Sequence, residues 1–96
     1  MNAQITRFPD YENWVNGVVF GNDGREFNFE AKLYDVESQY GINSGRVSKL
    51  HIYNVETKVD VVNYDRGWDI EPEGEYIQLI FHEVLDLLEN APKRFK

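Results

Sequence analysis

An α+β fold follows from three features of this sequence: a four-stranded antiparallel sheet of two hairpins, covered on one face by a single C-terminal amphipathic helix (ββββα). Residues 25–34 alternate apolar and polar side chains, the pattern of a strand with one buried and one wet face. Asn22-Asp23-Gly24 lies between β-forming runs and closes a hairpin, because Asn and Gly tolerate positive φ. Ile77, Ile80, Phe81, Val84, Leu85 and Leu88 recur at the three- and four-residue spacing of a buried helical stripe.

Taken in order, residues 1–13 contain Pro9 and no clear period, and read as an irregular N-terminal arm with room for one helical turn at 9–13. Trp14–Phe20 is the first strand, given bulk by Val15, Val18, Val19 and Phe20. The second, Arg25–Tyr34, puts Phe27, Phe29, Ala31 and Leu33 on one face and Glu26, Asn28, Glu30 and Lys32 on the other. Residues 35–45 are polar and rich in turn formers. Arg46–Tyr53 is the third strand, with Leu50 and Ile52 toward the core and Lys49 and His51 away from it. A turn at Asn54–Thr57 leads into the fourth, Lys58–Tyr64, which carries Val59, Val61 and Val62. Asp65–Pro72 reads as a loop with one large aromatic, Trp68. The helix begins near Pro72 or Glu73, where the missing proline N–H is harmless and Glu71, Glu73 and Glu75 meet the positive end of the dipole. Asn90 and Pro92 end it.

Ninety-six residues make a single domain, 1–96. A hydrophobic fraction of 42% with 15% aromatics argues against disorder. Cysteine is absent, which excludes disulfides, thiolate metal ligands and a cysteine nucleophile. There is no apolar leader, and no stretch approaches the ~20 residues of a membrane span, so the expected location is cytoplasmic, away from membranes. The net charge is −7, and residues 54–92 hold ten acids against Lys58 and Arg66. Such a surface repels phosphate backbones, so direct nucleic-acid binding is not expected.

Residues suited to chemistry are few. His51 and His82 are the only histidines, and no Asp-x-Asp-x-Asp-Gly loop, Gly-x-Ser-x-Gly elbow or phosphate-cradling Gly-x-x-x-x-Gly-Lys run occurs. Asp65 and Asp69 form a carboxylate pair, but Arg66 sits beside the first. No catalytic residue, metal ligand or cofactor is assigned. Two loops draw attention instead. Tyr40, Asn43 and Arg46 in one, and Tyr64, Asp65, Arg66, Trp68 and Asp69 in the other, combine the aromatic and arginine side chains that dominate interface energetics. The plainer alternative is that Trp68 caps the core and the arginines pin the loops. Glu75, Glu83, Asp86 and Glu89 line the outer helix face, either as a solubilising surface or as a decoy for a basic partner.

At the same loops, the run Tyr40-Gly41-Ile42-Asn43-Ser44-Gly45-Arg46-Val47-Ser48-Lys49-Leu50 and the run Asn63-Tyr64-Asp65-Arg66-Gly67-Trp68-Asp69-Ile70-Glu71-Pro72 resemble a family of small uncharacterised proteins. They are encoded by Gram-positive bacteria, their phages and mobile elements. The similarity covers roughly residues 14 to 88. It implies a phage or mobile-element setting and no particular activity. The expected function is a non-enzymatic protein-interaction module with a protein partner. The alternatives are an acidic nucleic-acid mimic that inhibits a basic nucleic-acid-binding protein, and a small metal-dependent hydrolase.

Overall fold

Six strands, not four, build the sheet in the computed structural model, which describes residues 1–8 and 13–93. They are β1 (Asn2–Arg7), β2 (Trp14–Phe20), β3 (Glu26–Leu33), β4 (Val47–Asn54), β5 (Asp60–Asp65) and β6 (Trp68–Ile70), followed by α1 (Gly74–Glu89). Each strand pairs antiparallel with its neighbours in sequence, so the sheet is a meander with β1 and β6 at its edges.

Both added strands are edge strands. β1 occupies the arm expected to be irregular and pairs with β2 from Asn2↔Phe20 to Ile5↔Gly17 before a bulge. Only Ala3 and Ile5 turn inward, too few apolar residues to stand out as a period of two. β6 lies within the stretch read as a loop and is three residues long, below the length at which alternation can be read. The helical turn expected at 9–13 falls, apart from Asn13, outside the described residues.

The four central strands follow the sequence pattern. Phe27, Phe29, Ala31, Leu33, Leu50 and Ile52 are all buried. Of the three valines expected on the fourth strand, Val62 is buried while Val59 precedes β5 and is 56% exposed. The β4–β5 turn is closed by the Asn54 side chain, whose Oδ1 accepts hydrogen bonds from the Glu56 and Thr57 N–H groups at 2.9 and 3.0 Å. Phe29 lies across Gly17, where a Cβ would collide with its ring.

α1 lays Ile80, Phe81, Val84, Leu85 and Leu88 on the sheet, and they join its buried residues in one continuous core. The helix starts at Gly74, two residues after Pro72, because Gly74 takes φ +81 as the chain leaves the extended Glu73. Polar contacts hold each end. Near the start, the Tyr76 hydroxyl donates to Asp23 Oδ1 in the β2–β3 hairpin at 2.7 Å, while Arg25 lies 4.0 Å over the Tyr76 ring. The bonds from Tyr76 and from the Arg25 N–H favour the ionised carboxyl and hold the Asp23 pKa at about 2. Near the end, Arg46 takes the helix's terminal carbonyls, as described below.

A helix of sixteen residues is marginal alone, and the sheet exposes an apolar face without it, so each stabilises the other. Ile80 is fully buried at that junction. Ile80→Ala is expected to lower unfolding free energy by about 2–5 kcal/mol through lost transfer energy and a residual cavity. Urea titration measures it, and a loss under about 1 kcal/mol would mean that α1 is not docked as described.

Candidate functional site

The two loops singled out by sequence lie side by side. The Tyr64 hydroxyl donates to the Tyr40 carbonyl at 2.9 Å, and the Arg66 N–H donates to the Ser48 carbonyl at 3.0 Å. Their residues have different environments. Tyr64 and Arg46 are buried, whereas Tyr40, Asn43, Asp65, Arg66, Trp68 and Asp69 are exposed.

Arg46 is a structural pin. Its Nε donates to the Tyr34 carbonyl at 2.8 Å, and its Nη1 donates to the carbonyls of Glu89 and Ala91 at 2.9 and 2.8 Å. A guanidinium at the C-terminus of α1 satisfies carbonyls that have no partner within the helix and opposes the negative end of its dipole. The Glu89 carboxylate returns the bond by accepting from the Arg46 N–H, its two oxygens at 3.1 and 2.9 Å. Arg46 Nη2 is buried with no hydrogen-bond partner among the described residues. Glu89 is therefore half-buried and engaged, while Glu75, Glu83 and Asp86 remain exposed on the outer face of α1.

Trp68 is held by aromatic packing. It stands edge-on to Tyr64 at 5.0 Å and to Phe81 at 5.5 Å between ring centroids, and is 39% exposed. Arg66 instead lies 3.5 Å from Asp65, which also faces Lys49 at 3.7 Å. Both pairs are exposed and worth little. Along the chain from Trp68, Ile70 joins Val61 and Ile77 in a groove of about 260 Å³ edged by Asp60, Glu71 and Glu73.

The sheet face opposite α1 is left uncovered by any described element. Its side chains fall in cross-strand rows. Gln4, Val18, Asn28 and Tyr53 form one; Arg7, Asn16, Glu30, His51 and Asn63 the next; Trp14, Lys32, Lys49 and Asp65 the third. His51 sits between two carboxylates, with Nε2 2.7 Å from Asp60 Oδ1 and Nδ1 3.4 Å from Glu30 Oε1. Sequence placed His51 on this face beside Lys49 but missed both acids. Glu30 comes from the adjacent strand, and a bulge between Ile52 and Tyr53 shifts Asp60 into reach. Among the described residues, no group of three or more His, Asp or Glu side chains is placed to hold a metal ion.

A family described as a domain of unknown function (DUF7678) matches residues 13–89, from the start of β2 to the end of α1. No curated protein and no solved structure matches the chain.

The His51 cluster has a definite pH signature. Partial burial disfavours the imidazolium, but hydrogen bonding and charge from Asp60 and Glu30 outweigh it, and the His51 pKa lies above its ordinary value of 6.5. A histidine whose pKa rises on folding contributes stability that is fully present below the unfolded pKa and is lost as pH rises through the folded one. Wild type is therefore expected to lose stability relative to His51→Gln as pH rises from about 6 to 8.5. Urea midpoints of both proteins across that range measure the effect, and parallel profiles would show that the carboxylates do not support the charged ring.

Proposed function

The chain belongs to the DUF7678 family, and we propose that it serves as a non-enzymatic protein-interaction module whose contact surface is the β6 end of the sheet. The observation that carries this reading is Trp68, a large aromatic locked between Tyr64 and Phe81 yet 39% exposed. A rigid, partly exposed tryptophan loses little entropy when a partner covers it, which is the physical basis of an interface hot spot. Ile70 is 37% exposed beside it and extends the apolar contact into the groove with Val61 and Ile77.

Charge selects the partner. Asp69, Glu71 and Glu73 are exposed around this apolar patch, and a partner with an apolar contact ringed by Lys or Arg complements it and is steered toward it. A phage or mobile-element setting, which the motif resemblance implies, would place that partner in the cytoplasm of a bacterial host. The reading as a nucleic-acid decoy has no comparable geometric support. Of the four helix acids that would form its surface, Glu75, Glu83 and Asp86 are exposed but Glu89 is engaged with the Arg46 N–H, and Asp60 and Asp65 of the same acidic stretch lie beside His51 and Lys49.

The test is comparative capture with wild type, Trp68→Ala and Glu83→Gln/Asp86→Asn as baits, followed by measured affinities for the proteins retained. Trp68→Ala is expected to weaken the specific complex by about 2 kcal/mol or more, roughly thirtyfold, while the helix substitutions leave it nearly unchanged. Binding that tolerates Trp68→Ala but collapses with the helix substitutions would replace this reading with the decoy.

A further inference from the structure

A second surface lies across the sheet, away from β6. On the uncovered face, β1, β2, β3 and β4 form a shallow, open depression of about 380 Å³, a volume within the range of small-ligand sites. Its polar lining is Thr6, Asn16, Asn28 and Tyr53, with Glu26 and Glu30, and its aromatic walls are Phe20 and Tyr53. Among the described residues, no Lys, Arg or His lines it.

We propose that this depression binds a neutral polyhydroxylated ligand, a short segment of oligosaccharide. Three features of the lining lead there. First, its lining carries the carboxylates of Glu26 and Glu30 and no cation of its own, which disfavours phosphate, sulfate or nucleic acid even with Glu30 paired to His51 at 3.4 Å beyond the rim. Second, its hydrogen-bonding capacity is incompletely used among the described residues. Asn28 Nδ2 donates to the Tyr53 hydroxyl at 3.2 Å, which leaves the Asn28 carbonyl oxygen as an acceptor and the Tyr53 O–H as a donor. The half-buried Asn16 amide offers both functions between Thr6 and Glu30. A sugar hydroxyl donates and accepts at once and matches mixed amide, hydroxyl and carboxylate groups. An apolar ligand would leave them desolvated and unpaired, and a cation would use only their acceptors.

Third, Phe20 is 39% exposed at the edge of the depression, and Tyr53 is held by a tilted stack on His51 at 5.4 Å. Such rings present electron-rich faces to the C–H groups of a pyranose. Polar side chains between such rings suit a ligand with hydroxyls at its rim and C–H groups on its faces. The register sets the arrangement, since Val18, Asn28 and Tyr53 lie directly across from one another on β2, β3 and β4.

The test titrates the isotopically labelled full chain with cellohexaose, laminarihexaose and chitohexaose while amide resonances are followed by NMR. At least one is expected to shift resonances confined to Asn16, Val18, Asn28 and Tyr53, with a Kd of about a millimolar, usual for a shallow site. Tyr53→Ala and Asn16→Ala should each weaken binding roughly tenfold, with unchanged dispersion elsewhere showing that the variants fold. Trp68→Ala should leave sugar binding intact, so this inference and the β6 interface fail independently. The inference is overturned by an absence of shifts with all three sugars up to about 20 mM, by shifts centred on another surface, or by hexalysine perturbing the same resonances more strongly than any sugar.

Discussion

One helix has to cover the whole apolar side of a six-stranded sheet, and its two anchored ends decide where it lies. At the start, Tyr76 reaches the β2–β3 hairpin through Asp23. At the end, Arg46 gathers the Tyr34, Glu89 and Ala91 carbonyls while Glu89 takes the Arg46 N–H. The apolar stripe supplies the driving force, but hydrophobic burial is non-directional. The polar contacts supply the direction. They fix the axis of α1 across the sheet and tie the residue 34–46 connection to the helix's last turn.

That arrangement distributes the functional surfaces. With α1 on one side, the opposite face of β2, β3 and β4 is left open among the described residues, and the sheet ends at a short β6. A three-residue edge strand is a poor template for further strand pairing. Recognition at that end therefore falls to side chains, and Trp68 is the one that its neighbours orient. The open face lacks such a focus at His51, where charges pair internally. At the Asn16–Asn28–Tyr53 rows the hydrogen-bonding groups remain partly unused among the described residues.

The central sheet was legible because Phe27, Phe29, Ala31 and Leu33 alternate with polar residues, and the helix because its stripe is long and regular. β1 was not, since Ala3 and Ile5 alone turn inward and backbone pairing at an edge leaves no compositional trace. The loop motifs were legible as unusual, but not as to cause. Arg46 and Tyr64 read as candidate contact residues, with a pinning arginine as the alternative, and the fold buries both: the partners of Arg46 are backbone carbonyls, which no residue type announces, and Tyr64 is bonded to another. Glu89 reads as a surface acid for the same reason, because its partner is an N–H 43 positions away.

The placement of α1 depends most directly on Arg46 as the anchor of the helix's end. Arg46→Met keeps an apolar stem and removes the guanidinium, leaving buried carbonyls without donors. Equilibrium unfolding combined with amide hydrogen exchange measures the consequence. The expected loss is about 2 kcal/mol or more, with protection falling first over residues 85–90 while β3 and β4 stay protected. Stability within about 0.5 kcal/mol of wild type, with unchanged exchange in that last turn, would contradict it.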